Sequence, residues 1–200
     1  MKILLIGNKG PTGRRYEKIL LERGHSVSGY DIPEYGQRMP DLDRCLIASP
    51  TPTHIHYATL MQDRGTPYLV EKPACSDPYD VDKMTGHMVN NWAFVFNNNQ
   101  LIPGENKVFY RNGYTGKEGF WFDTCQLHIL SDGFSSSIIK RPGNFEARIN
   151  DCPVTLNMIE RSYERMIDSW LSDDGRVWRI PDIAEPLKKI LRKAQVCPTL

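Results

Sequence analysis

Leu69-Val70-Glu71-Lys72-Pro73 decides the fold of this chain because of what precedes it. Upstream, the apolar run Cys45-Leu46-Ile47-Ala48 breaks into Ser49-Pro50-Thr51-Pro52-Thr53-His54, and a helix-like segment then leads to Thr66-Pro67-Tyr68 and the quoted run. The order is strand, proline-stiffened loop, helix, strand, and the second strand runs into a lysine. A charged group at the carboxyl end of a buried parallel strand stands where open α/β sheets take their ligands.

The chain opens in the same style. Met1-Lys2-Ile3-Leu4-Leu5-Ile6 reads as a short buried strand, followed by the loop Gly7-Asn8-Lys9-Gly10-Pro11-Thr12-Gly13. Gly-x-x-Gly-x-x-Gly departs from the commoner Gly-x-Gly-x-x-Gly but serves the same ends: a tight turn, close backbone approach to a pyrophosphate, and close packing of helix on strand. Residues 14–23 place Tyr16, Ile19 and Leu20 on one face, and the amino end of such a helix suits an anion. Val27-Ser28-Gly29-Tyr30-Asp31 makes a second strand ending in an acid, about where an acid hydrogen-bonds a ribose 2′-hydroxyl. Asp31 would repel a 2′-phosphate and so favours NAD over NADP. Arg14, Arg15 and Arg38 are the residues that would speak for NADP, since arginine is the natural partner of a phosphate.

These motifs closely resemble the Gfo/Idh/MocA oxidoreductases, which carry a Thr-Pro-x-x-x-His-like loop and then a Glu-Lys-Pro motif behind a nucleotide fingerprint. The resemblance covers residues 1–97 strongly and 156–195 weakly. It implies a Rossmann-type doubly wound parallel sheet followed by a substrate domain with a large, mostly antiparallel sheet; the residues available here are too few for that, so the second half departs from the family and is expected as a reduced α+β domain with a small, mostly antiparallel sheet. It implies cofactor contacts from Gly7, Asn8, Lys9, Gly10, Thr12, Gly13, Arg14, Asp31, Ser49, Pro50, Thr51, His54, Glu71 and Lys72. Lys72 would hold a substrate hydroxyl or carbonyl beside the nicotinamide and stabilise an alkoxide. The family's second catalytic motif reads Asp-x-x-x-His; here Asp123 and His128 are one residue further apart, with Asp132 four beyond. One residue on a strand changes face. His128 is nonetheless the candidate acid–base group, with a core histidine bonded to backbone as the plain alternative. His54 is expected to shape the loop under the nicotinamide.

The 200 residues carry a net charge of +1, which makes no electrostatic case for nucleic acid or a membrane surface. There is no long apolar span, and the opening run is too short for a signal sequence. Five cysteines without a Cys-x-x-Cys pair fit a reduced, cytoplasmic protein with no structural metal.

Beyond Pro73, Asp77 can cap a helix whose first turn holds Pro78 and whose stripe is Val81, Met84 and Met88. Trp92-Ala93-Phe94-Val95-Phe96 reads as a buried strand leaving through Asn97-Asn98-Asn99-Gln100. The domain boundary is therefore placed near Asn97: a dinucleotide-binding domain over 1–97, and a substrate or oligomerisation domain over 98–200. Strands are expected at 107–110, 119–123, 137–140 and 145–149. Two helices follow, one with Leu156, Ile159, Tyr163, Met166, Ile167 and Trp170 on its apolar stripe. The other has Asp182 and Glu185 at capping-box spacing, then Ile183, Leu187, Ile190 and Leu191 inward. Tyr110, Tyr114, Trp121 and Phe122 are candidate lining for a substrate pocket, although aromatic strands more often simply pack. The apolar content of 108–110 and 120–122 points to a homodimer or a dimer of dimers through residues 105–150.

The resulting expectation is a nicotinamide-dependent oxidoreductase acting on the hydroxyl or carbonyl carbon of a sugar, cyclitol or related small molecule. A biliverdin-type or dihydrodienol-type reductase of the same family, or a dinucleotide-binding sensor without turnover, are the alternatives. The spacing of Asp123 and His128 and the short second half favour the sensor; Lys72 favours the enzyme.

Overall fold

A computed structural model describes residues 1–31, 41–95, 107–109, 128–130, 136–141, 144–149 and 152–196. The chain divides into two compact units: Met1–Val89 with Trp178–Ala184, and Asn90–Val177 with Glu185–Leu200.

The first unit is built on a five-stranded parallel sheet. Its strands are β1 (Lys2–Ile6), β2 (Ser26–Tyr30), β3 (Arg44–Ile47), β4 (Tyr68–Val70) and β5 (His87–Met88), in the order β2-β1-β3-β4-β5. Helix α1 (Pro11–Glu22) joins β1 to β2, and α2 (His54–Asp63) joins β3 to β4. The chain thus winds one way from β1 and the other way from β3, and right-handed crossovers in opposite directions place the two helices on opposite faces. Apolar residues fill the layer between: Ile3, Leu4, Leu5, Ile6, Leu46, Ile47, Leu69 and Val70 are all at most 1% exposed. Tyr16, Ile19 and Leu20 close the layer from α1, and Tyr57, Ala58 and Met61 from α2.

Two expectations near the sheet's outer edge are corrected. The segment after Asp77 forms no α-helix but a short 3-10 helix, Pro78–Lys83, which Asp77 does cap by accepting from the Tyr79 N–H at 2.9 Å. The fifth strand is His87–Met88 rather than the run at 92–96, and Asn91–Phe94 is itself a 3-10 helix. The earlier placement is packed in by Gly86: a Cβ there would lie 2.4 Å from the Tyr68 ring. The outer side of β5 is covered by residues from far along the chain. Met88 donates its N–H to Trp178 O, Ile180 donates to Gly86 O, and His87 bridges Arg179 antiparallel. An edge covered in this way offers no free ladder for another chain.

The second unit contains an antiparallel sheet in the order β10-β9-β8, from β8 (Ser136–Arg141), β9 (Asn144–Ile149) and β10 (Cys152–Pro153). A separate antiparallel pair is made by β6 (Lys107–Phe109) and β7 (His128–Leu130). The run expected as a strand at 119–123 lies outside the described residues. Helix α3 (Leu156–Ser172) starts at Thr155, whose hydroxyl accepts from Met158 N–H, and ends at Asp173 in the left-handed region. Met166, Ile167 and Trp170 are buried as expected, but Leu156 is 63% exposed because it stands in the first turn. Val95, Ala147 and Val154 form a small core with Trp92, Met158 and Ile159 against it. Asn91 Nδ2 donates to the Ser162 hydroxyl, and Arg165 donates to the carbonyls of Phe94 and Val95. These bonds hold the 3-10 turn to α3, which a strand at 92–96 would not allow. The last helix, α4 (Ala184–Val196), follows a 3-10 turn over Ile180–Ile183, so Asp182 lies inside that turn and makes no capping box with Glu185.

Candidate functional site

Register brings the carboxyl ends of the five strands level. Ile6 pairs with Tyr30 and Ile47, Ile47 with Val70, and Val70 with Met88. The ladder continues one residue further: Gly7 N–H donates to Tyr30 O, Ala48 to Ile6 O, Glu71 to Ile47 O and Val89 to Val70 O. Each loop of interest therefore leaves the sheet at the same edge. Since β2 and β3 lie on either side of β1, the glycine loop and the proline loop open at the point where strand order reverses, the favoured ligand crevice of such sheets.

The glycine loop is fitted around its glycines. Gly7 has φ +82, and a Cβ on it would sit 2.6 Å from Ala48 O. A Cβ on Gly13 would lie 2.1 Å from Gly7 O, so α1 can approach the strand only with glycine there. Gly10 is the N-cap of α1 and offers no side chain to it, Pro11 fills the first helical position, and the first turn has no acid. Lys9 and Arg14 are exposed, while Asn8, Gly10, Thr12 and Arg15 are half-buried. Cations at a helix amino end oppose its dipole, and an anion bound there would relieve that. Asp31 is half-buried immediately after β2, whereas Arg38 lies outside the described residues.

Across the crevice, the loops after β3 and β4 are tied together by His54. The ring is 1% exposed, with Nε2 2.7 Å from Ser49 O and Nδ1 3.0 Å from Pro73 O. Burial pushes its pKa below the ordinary histidine value, outweighing the Ser49 and Pro73 carbonyls and the Glu71 carboxylate, which favour the charged form. Both ring nitrogens face carbonyl oxygens, so the ring bridges the two loops whichever nitrogen carries the proton. His54 thus shapes the loops from beneath. Thr53 Oγ1 lies 2.8 Å from Ser49 Oγ and 2.7 Å from Pro50 O, holding the 3-10 turn Thr51–Thr53. Ser49 and Thr51 are half-buried and Pro50 exposed.

Glu71 faces the other way, into α1. Tyr16 donates its hydroxyl to Glu71 Oε1 at 2.6 Å, and Glu71 Oε2 accepts from the Lys72 N–H at 2.9 Å. The carboxylate therefore fixes the backbone that carries Lys72, which is half-buried and precedes a cis peptide to Pro73. Tyr16 and Gly29 are the members of this arrangement that sequence reasoning missed. Tyr16 reads as one more apolar helix residue; a glycine inside a strand, such as Gly29, is itself a sign of close approach, here by the side chain of Asn8.

His128 lies on β7 opposite Phe109. Asp123, Asp132, Tyr110, Tyr114, Trp121, Phe122 and Asn97–Asn99 lie outside the described residues. Among the described residues no group of His, Cys, Asp and Glu is placed to hold a metal, and no helix is long and apolar enough to cross a membrane. Burial first, then Asp80 and Asp77, push the Cys75 thiol pKa up to about 12, away from the thiolate form.

A dinucleotide fits the donor set in two respects. Gly10 puts no side chain at the start of α1, and the first turn of that helix carries no acid to repel a pyrophosphate.

No protein-family model matches the chain, and no curated protein matches it by sequence. Solved structures do. The WlbA (WbpB) dehydrogenase from Thermus thermophilus, in complex with NAD and UDP-GlcNAcA, aligns over 100% of this chain and 96% of its own, at 12% identity and TM-score 0.62. A Gfo/Idh/MocA family oxidoreductase from Vibrio cholerae aligns over 98% and 99%, at 11% identity and TM-score 0.56. The UDP-N-acetylglucosamine 3-dehydrogenase GnnA from Acidithiobacillus ferrooxidans is 24% identical over 42% of this chain, which spans 32% of that protein; its TM-score of 0.35 adds nothing on the fold. Identity is low, and what is shared is the fold: the chain has the fold of the Gfo/Idh/MocA oxidoreductases.

Proposed function

We propose that the protein is a nicotinamide-dependent oxidoreductase that moves hydride to or from a hydroxyl or carbonyl carbon of a sugar, cyclitol or related small molecule. The observation that carries this reading is the level carboxyl edge, where the glycine loop, the Ser49–His54 loop and Lys72 emerge from β1, β3 and β4. A bound nicotinamide would supply or accept the hydride. Gly7–Gly13 would take the pyrophosphate on backbone N–H groups at the start of α1. Asp31 would hold the adenosine ribose, favouring NAD over NADP. Ser49, Pro50 and Thr51 would form the wall under the nicotinamide, held from below by His54.

Lys72 would do the electrostatic work. Its ammonium holds the substrate oxygen and stabilises negative charge there as hydride leaves the neighbouring carbon. Glu71 keeps this group in place through its bonds to Tyr16 and to the Lys72 N–H. His128 is the group proposed to take the proton, and Asp123 is proposed as a further catalytic residue. A sugar-type substrate agrees with the solved neighbour that holds NAD and UDP-GlcNAcA.

A turnover assay over polyols, sugars and nucleotide sugars, followed at the reduced nicotinamide absorbance, tests the reading. Lys72→Ala should lower turnover by about two to four powers of ten, the scale of losing one electrostatic or acid–base group. Its affinity for the dinucleotide should change far less. An active protein indifferent to loss of Lys72 would remove the mechanism.

A further inference from the structure

Helix α1 buries the side chains of Tyr16, Ile19 and Leu20, and of these Tyr16 carries the polar atom. Phenylalanine would fill that seat in the apolar layer, so the hydroxyl needs its own account. It donates to Glu71 Oε1 at 2.6 Å across 55 positions of sequence, a length usual for a hydroxyl on a carboxylate. The other oxygen of that carboxylate is committed too: Oε2 accepts the Lys72 N–H at 2.9 Å. The Glu71 N–H is itself bonded to Ile47 O at 2.8 Å beside β3. Glu71 is thus fixed at its backbone and at both side-chain oxygens, and Lys72 follows it. On the far side of Lys72, Pro73 O stands 3.0 Å from Nδ1 of His54, the first residue of α2. With α1 and α2 on opposite faces of the sheet, the backbone at Lys72 and Pro73 is held from both: by Tyr16 through Glu71 on one face, by His54 on the other.

We propose that Tyr16 is a positioning residue for Lys72: its hydroxyl holds the Glu71 carboxylate in the pose that fixes the Lys72 backbone, and so sets where the ammonium meets the substrate oxygen. The proposal rests on the hydride-transfer reading above. It adds a residue that is 0% exposed and offers no surface to either ligand. Without the hydroxyl, Glu71 Oε1 loses its donor and the carboxylate can turn away from the Lys72 N–H. A displacement of about 1 Å at a reacting group costs on the order of a hundred-fold in rate.

Tyr16→Phe in the full chain deletes one oxygen and keeps the ring, so NADH affinity should stay close to the parent's. Turnover should fall by about ten- to a hundred-fold. In the Lys72→Ala background the same change should cost nothing more, because the group it positions is already gone. A second readout needs no substrate. Hydrogen exchange at the Lys72 amide should quicken about ten-fold, the scale of one weakened hydrogen bond, while the Glu71 amide keeps the parent's rate. If Tyr16→Phe does not fold, Glu71→Asp, which draws the carboxylate one methylene back from both donors, takes its place with the same expected outcomes. Unchanged exchange at Lys72 overturns the proposal. So does parental turnover of Tyr16→Phe in a protein that Lys72→Ala disables, a result that leaves the hydride-transfer reading standing. Losses that multiply in the double variant, or NADH affinity that falls in step with turnover, also overturn it and make Tyr16 a packing residue of α1. A parent whose turnover survives Lys72→Ala overturns the reading and the proposal together.

Discussion

His54 meets almost no solvent and two carbonyl oxygens, one in the loop after β3 and one after β4. Replacing it by alanine leaves both carbonyls in a cavity, which should cost about 2–4 kcal/mol by the usual scale of buried truncations. Its proton linkage has a definite sign. The folded pKa lies below the ordinary value, burial being the first cause, so below about pH 6.5 the unfolded chain takes up a proton that the folded one does not. Stability contributed by His54 is then lost as pH falls below that value. Urea unfolding at pH 7 and pH 5 should show a smaller drop in His54→Ala than in the parent; equal drops would mean that the ring is charged in its seat. Asp31→Ala belongs to the same scale. It should narrow the preference for NADH over NADPH in a titration, and tighter NADPH binding by the parent would turn attention to Arg14 and Arg15.

Among the elements, the parallel strands and α1 are legible because buried runs such as Ile3–Ile6 and Leu69–Val70 have no other plausible use, and because glycines mark the close approaches. What was not legible came from residues far apart in sequence. Trp92–Phe94 has the composition of a strand, yet Asn91–Ser162 and Arg165–Phe94 bonds hold it as a 3-10 turn on α3. The strand partner of β4 is instead a dipeptide, too short to show any period, sealed by residues 178–180. Tyr68 anchors that corner: its hydroxyl donates to Gln62 Oε1 at 2.6 Å, Thr85 N–H reaches Gln62, and Gln62 Nε2 reaches Lys83 O. Gly86→Ala would drive a methyl into the Tyr68 ring, so it should destabilise by about 1–3 kcal/mol, as overpacking does. A melting temperature equal to the parent's would contradict this packing. For α3, loss of the Thr155 cap in Thr155→Ala should cost about 1 kcal/mol in the same assay.

Two proposals concern the molecule as a whole. The first is self-association through residues 105–150. In the described part of β9, Ala147 is buried while Glu146 and Arg148 on either side are exposed, so that stretch would present charge to a partner. Light scattering after size exclusion should give at least twice the chain mass of 23.0 kDa; a species of single-chain mass at micromolar concentration would contradict it. The second and central proposal is that the carboxyl edge of the parallel sheet binds a nicotinamide dinucleotide. Isothermal titration of the full chain with NADH and NADPH tests it most directly. The account predicts saturable binding of one NADH per chain, tighter than NADPH, and kept in Lys72→Ala. No saturable binding of either dinucleotide up to millimolar concentration would contradict it.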